Sequence, residues 1–223
     1  MNKKIFIACD TNNTLKVKKI IRESQTKKLK IGYKFGLEFL NSKNGRSFIS
    51  KIKNKIIFAD LKLRDIPNTC CSTVKAIKDL KVNYLTIHLS SGFNALKAVK
   101  RVSGRIKIVG VSILTSLNNK DLKEIGHTKS IKNLVIKQAM LAKKANLDAI
   151  VCSAHEVPYI NKIFKKEIIT PGIKFKNEKA KDQKRIVSPK EAFKSGATSI
   201  VVGRSITKGN IKKNIKRLIK SLN

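Results

Sequence analysis

The sequence predicts an α/β fold, a (β/α)8 TIM barrel forming a single domain over residues 1–223. Three observations lead there. Short apolar, β-branched runs alternate with longer stretches of helical spacing, in about eight units. The length of 223 residues suits one barrel better than two small domains. With only 4 prolines and no Gly/Ser-rich spacer, nothing marks a linker. An open doubly wound sheet is the alternative, but it usually carries fewer strands at this length.

Taken in order, "KIFIAC" (4–9) is a strand that stops at Asp10, and "TLKVKKIIRES" is an amphipathic helix. "KIGYKFG" (30–36) and "NKIIFADLK" (54–62) are the next strands, and "TVKAIKDL" is the helix after them. "NYLTIHLSSG" (83–92) reads as a strand and turn, "ALKAVKRVS" as a helix and "RIKIVGVSIL" (105–114) as a strand. "IKNLVIKQAMLAKKAN" (131–146) has helical apolar spacing. "LDAIVCSA" (147–154) and "KEIITPGI" (166–173) are strands. "SPKEAFKSGA" opens a helix with Ser188 as N-cap, Pro189 at its first position and Glu191 three residues past the cap. "TSIVVGRSI" (198–206) is the last strand and "NIKKNIKRLIKSL" the closing helix. Residues 174–187 form a long charged loop, of a length that tends to be functional or disordered.

Composition narrows the partners. A hydrophobic fraction of 41% is enough for a sizeable core. No run reaches transmembrane length, and the apolar stretch of "MNKKIFIACDTNN" is too short for a signal, so no membrane contact and a cytoplasmic location are expected. Lys and Arg number 50 against 14 Asp and Glu, a formal charge of +36. The lysines are spread through nearly every helix and loop. With Trp absent and no aromatic–basic interleaving, the charge reads as a solvated surface and no specific nucleic-acid partner is expected. An anionic substrate would gain from the field. Cys9, Cys70, Cys71 and Cys152 form no C-x-x-C pair, and Cys9 and Cys152 read as small core residues. His88, His127 and His155 show no ligand spacing with them, so no metal site is expected. His88 is expected to be a hydrogen-bonded structural residue, and the other two to lie on the surface.

The chemistry concentrates in "FADLKLRDIPNT" (58–69). Strand alternation puts Phe58, Asp60 and Lys62 on one face and Ala59 and Leu61 on the other. If Ala59 and Leu61 meet the helices, Asp60 and Lys62 point into the barrel mouth, where barrel active sites lie. Asp65 follows in the loop, Lys34 ends the second strand, and Asp10 ends the first. An alternating array of these charges holds Lys62 protonated, and a positioned ammonium is a general acid. A structural ion-pair cluster is the competing reading.

"DLKLRDIPNT" resembles the D-x-K-x-x-D-I-P-N-T signature of the orotidine 5′-phosphate decarboxylase family. The resemblance continues in order through "ACDTNN", "YKFGLEFL", "TIHLSSG", "VSILTSL", "LDAIVCSAHE", "TPGIK", "DQKR" and "VVGRSIT", essentially the whole chain. It implies a cofactor-free decarboxylation of a nucleotide monophosphate, orotidine 5′-monophosphate, to uridine 5′-monophosphate. It implies Lys62 as proton donor to C6, flanked by Asp60 and Asp65, with Lys34 completing the tetrad. Substrate contacts are implied for Asp10 and Lys34 at the ribose, for Asp60, Leu61, Lys62, Leu63, Arg64, Asp65, Ile66, Pro67, Asn68 and Thr69 in the signature, and for Thr115 near the pyrimidine. Gln183 would bridge base and phosphate, and Gly203 and Arg204 would hold the phosphate. A homodimer is implied, with Asp65 reaching into the partner's site alongside Ile66 and Thr69. Two positions depart from the pattern. Lys174 stands where Arg is usual and cannot form a bidentate fork, and Lys181 stands where Gly is usual. A magnesium-using sugar-phosphate lyase of the same superfamily and a basic nucleic-acid-binding protein are the rivals.

Overall fold

The computed structural model describes residues 3–175, 178 and 186–222. In chain order the elements are β1 (Lys4–Ala8), α1 (Thr14–Glu23), β2 (Lys30–Phe35), α2 (Leu37–Leu40), α3 (Gly45–Ser50), β3 (Ile56–Leu63), α4 (Pro67–Ala76), β4 (Tyr84–His88), α5 (Gly92–Val102), β5 (Lys107–Val111), α6 (Asn119–Glu124), α7 (Ile131–Lys144), β6 (Ala149–Val151), α8 (Val157–Ile163), β7 (Glu167–Thr170), α9 (Pro189–Lys194), β8 (Ser199–Val202), α10 (Arg204–Thr207) and α11 (Ile211–Leu222). The eight strands close into a barrel in sequence order, and β8 pairs in parallel with β1. The predicted (β/α)8 barrel is therefore what forms.

The strands are apolar on both faces because both are buried. Ile5 and Ile7 of β1 pack outward in the large core shared with the helices. Phe6 points inward, into a layer with Phe58, Tyr84, Val109, Ala149, Ile169 and Val201. Its ring meets Phe58 and Tyr84 edge-on at centroid distances of 5.0 and 5.1 Å. Gly32 makes room for it: a Cβ there would lie 2.8 Å from Phe6 Cδ1. Below this layer, at the strand starts, Glu167 accepts hydrogen bonds from Lys4 (2.7 Å), Tyr84 (2.9 Å) and Ser199 (2.7 Å). That polar plug closes the N-terminal end, so polar groups at the strand C-termini face the open end.

Helix ends follow the local chemistry. Asn13 caps α1 by accepting from the Lys16 amide, and Ser188 and Glu191 form the predicted capping box of α9. In α11, Ile211, Ile215, Leu218 and Leu222 make the buried stripe. Elsewhere the sequence reading needs correction. The helix expected at "TVKAIKDL" starts earlier, at Pro67, and Lys78–Leu80 is a separate 3-10 turn. Proline at the first position, with its fixed φ, nucleates a turn that the weak helix formers Thr69, Cys70 and Cys71 do not announce. The last strand ends at Val202 and not at residue 206, because Arg204 opens α10. The short helices α2, α3, α6 and α8 were not anticipated, being too brief to show a period.

Candidate active site

β1, β2 and β3 deliver the charges. Ala8 pairs with Lys34 and Lys34 with Phe58, so Asp10, Lys34 and Asp60 arrive at adjacent strand ends. Lys34 Nζ lies 3.3 Å from Asp10 Oδ1 and 3.0 Å from Asp60 Oδ2. Lys62 Nζ lies 2.8 Å from the same Asp60 oxygen. The charges thus alternate Asp10–Lys34–Asp60–Lys62.

Asp60 is only 7% exposed. Burial pushes its pKa up, but the Lys34 and Lys62 ammonium groups outweigh it and hold the carboxyl below its ordinary value. For Lys34, burial works to lower the pKa, and the Asp60 and Asp10 carboxylates reverse that and raise it. Both groups are therefore ionised at neutral pH, each making the other's charge tolerable.

The route to Lys62 is not a regular strand. Ala59 pairs with Leu85 and Leu63 with Ile87, so a four-residue step on β3 faces a two-residue step on β4. Within this bulge Lys62 takes a left-handed conformation, φ 49°. A non-glycine residue pays for that geometry in strain, a feature that collects at functional sites. Its amide donates to Thr86 Oγ1 at 2.8 Å, and the Thr86 hydroxyl donates to Asp60 Oδ1 at 3.1 Å. Alternation correctly placed Asp60 and Lys62 together, although a bulge and not a flat pleat puts them there.

The array opens on a cavity of about 530 Å³. Of the residues singled out in the sequence, Asp10, Lys34, Asp60, Lys62, Thr115, Lys174, Gly203 and Arg204 line it. Val111, Ile113, Leu114, Val151, Pro171 and Ile173 give it an apolar wall, and Ser205 sits beside Arg204; none of these was foreseen. The β8 end abuts β1: a Cβ on Gly203 would lie 3.7 Å from Ala8 Cβ. Both ends of the long loop are pinned, since Lys174 N donates to Val187 O and Val187 N to Gly172 O. Farther in, Glu178 pairs with Arg217 at 3.3 Å and accepts from Ser205 Oγ. Gln183 lies outside the described residues.

The rest of the signature does not line this cavity. Leu61 and Leu63 pack on the core behind it. Arg64, Asp65, Ile66, Pro67, Asn68 and Thr69 are exposed, the last three as the first turn of α4. Asp65 accepts its neighbour Ile66's amide at 2.7 Å and forms no ion pair among the described residues. It therefore pairs with neither Lys34 nor Lys62. His88 is half-buried; burial, then the cations of Arg64 and Lys62, push its pKa down. The hydrogen bond expected of it is not formed among the described residues. His127 and His155 are exposed as expected. Cys9 and Cys152 are buried, and burial pushes the Cys9 thiol up to about 12. No group of metal-ligating side chains gathers among the described residues.

A family model described as "Orotidine 5′-phosphate decarboxylase / HUMPS family" matches residues 3–217. An orotidine 5′-phosphate decarboxylase of Wolbachia pipientis subsp. Culex pipiens (strain wPip) is 46% identical over 196 residues, 85% of this chain and 86% of that protein. One from Wolbachia sp. subsp. Brugia malayi (strain TRS) is 42% identical, over 96% of each chain. The crystal structure of orotidine 5′-phosphate decarboxylase from Lactobacillus acidophilus is similar with a TM-score of 0.83 and 29% identity, over 99% of both chains.

Proposed function

We propose, for a chain that belongs to the orotidine 5′-phosphate decarboxylase / HUMPS family, that it converts orotidine 5′-monophosphate to uridine 5′-monophosphate. The observation that carries this reading is the Asp10–Lys34–Asp60–Lys62 chain on a cavity of nucleotide size. Cleaving the carboxylate leaves an electron pair on C6 of the pyrimidine. That pair lies in the ring plane, so the π system does not absorb it. Lys62 answers it electrostatically and then chemically. Its ammonium, about 4 Å from the developing carbanion, contributes about 4 kcal/mol at an effective dielectric near 20. Carbon dioxide departs, the electron pair takes a proton from Nζ, and solvent returns one to the amine. Asp60 holds Lys62 in place, and its repulsion of the substrate carboxylate is relieved when carbon dioxide leaves.

The phosphate is assigned to Gly203, Arg204 and Lys174, with Gln183 from the long loop. Binding energy gained at that remote dianion supports the chemistry at the ring. Arg204 offers a planar fork, whereas Lys174 offers a point charge. Asp10 and Lys34 contact the ribose, and Thr115 the base.

The active form in this reading is a homodimer. Asp65 is exposed and unpaired among the described residues, and Ile66 beside it is 65% exposed, unusual for isoleucine. Asp65 would enter the partner's site and complete the tetrad there, with Ile66 and Thr69 as neighbours. The reaction is placed in the cytoplasm, where Cys9, Cys70, Cys71 and Cys152 stay reduced. Among the described residues no helix is long and apolar enough to cross a membrane.

The test is the ultraviolet absorbance change of orotidine monophosphate with purified protein and excess chelator. Loss of substrate at an unchanged rate is expected. Magnesium-dependent turnover of a sugar phosphate in its place would favour the lyase alternative.

A further inference from the structure

Thr86 stands on β4 between Tyr84, in the inner apolar layer, and His88 at the strand's end. Alternation turns all three toward the barrel axis. Thr86 is fully buried and bonds to Asp60 and Lys62, both of which line the cavity. Its one hydroxyl makes both contacts described above: it donates to Asp60 Oδ1 and accepts the Lys62 amide. Each contact fixes something different. Asp60 Oδ2 receives both ammonium groups, from Lys34 and Lys62, so the bond to Oδ1 sets the carboxylate's rotation. The amide of Lys62 sits in the bulge, where strand pairing with β4 is interrupted, and the hydroxyl stands in for the missing ladder carbonyl.

We propose that Thr86 is a positioning residue for the decarboxylation. Its hydroxyl holds the β3 bulge that aims Lys62 into the cavity, and it turns Asp60 so that Oδ2 faces both lysines. The kinetic part rests on the function proposed above; the geometric part stands without it.

Removing the hydroxyl leaves a buried carboxylate oxygen without its donor and a buried amide without its acceptor. The groups facing Asp60 are Lys34 from β2, Asp10 beyond it at the end of β1, Lys62 on its own strand and His88 on β4. None of these is altered by the change at Thr86. Losing a donor makes the carboxylate harder to ionise, so its pKa rises. Activity that needs the carboxylate is lost as pH falls through that pKa, so the acid limb of kcat moves to higher pH.

Thr86→Val keeps the shape and removes the hydroxyl; Thr86→Ser keeps the hydroxyl. The valine variant should lose about 10- to 100-fold in kcat, the loss expected for a hydrogen bond to a charged group. KM should change little, the acid limb should rise, and serine should restore most of kcat and the wild-type limb. In a crystal structure of the valine variant without ligand, Lys62 should leave the left-handed region and separate from Asp60. Wild-type kcat in the valine variant overturns the proposal. So does a loss that serine shares equally with no movement of the acid limb, and so does an unaltered Lys62–Asp60 geometry. Should valine prevent folding, Thr86→Ala takes its place in each comparison. If wild-type protein leaves orotidine monophosphate untouched, the reaction is wrong, and the crystal structure still decides the positioning role.

Discussion

At Asp60, burial pushes the carboxyl's pKa up, and two ammonium groups outweigh it and bring it below its ordinary value. The residue was legible because a carboxylate directly after an apolar run needs a reason to be there. Lys34 and Asp10 were legible from their places at neighbouring strand ends. Thr86 was not, because threonine is ordinary in a strand and its role depends on a bulge that only the fold reveals. Arg204 became legible through the motif around it; in a chain with 50 basic residues an arginine alone says little. Arg204→Ala should remove a charge-assisted contact of about 1.5–3 kcal/mol, or one to two decades of kcat/KM. The loss should appear with the nucleotide and nearly vanish with the bare nucleoside. Equal proportional losses for both substrates would remove Arg204 from the phosphate site.

Among the elements, the number and order of the strands were legible, because strands buried on both faces are continuous apolar runs, but the ranges 105–114, 147–154 and 166–173 overran Lys107–Val111, Ala149–Val151 and Glu167–Thr170. What failed was irregular backbone. The start of α4 depends on Pro67 and not on periodicity, and the strand expected through residue 206 gives way to α10 after Gly203. Gly32 shows how tightly β1 and β2 are matched. A Cβ there would meet Phe6 Cδ1 at 2.8 Å, Cε1 at 2.9 Å and Ile56 Cβ at 3.2 Å. Phe6 is held by Phe58 and Tyr84 and has little room to retreat. Gly32→Ala should therefore destabilise the barrel by about 1–3 kcal/mol, the usual cost of overpacking. Urea denaturation with an unchanged m-value measures it; an unchanged midpoint would mean that the inner layer yields freely.

For the molecule as a whole, closure of eight strands brings Asp10, just past β1, beside Gly203, just past β8, residues far apart in the chain. The order of units made that closure legible. The expected tetrad was only partly so: Lys34, Asp60 and Lys62 come together, with Asp10 beside Lys34, and Asp65 stays exposed. A shared site predicts complementation. Lys62→Ala and Asp65→Ala homodimers should each be inactive. After subunit exchange, half the dimers are hybrids and one of the two sites in each carries neither lesion, so about a quarter of wild-type activity should return. No recovery after verified exchange would confine the site to one subunit.

The most direct measurement of the central claim is turnover of orotidine monophosphate in D2O by wild type and by Lys62→Ala. Wild type should release carbon dioxide and yield uridine monophosphate with one deuterium at C6. Lys62→Ala should be slower by at least about 10²–10⁴-fold, the range for loss of a general acid, while keeping the wild-type circular dichroism spectrum. A wild-type protein that leaves the substrate intact, or a Lys62→Ala variant that turns it over at the wild-type rate, would contradict the account.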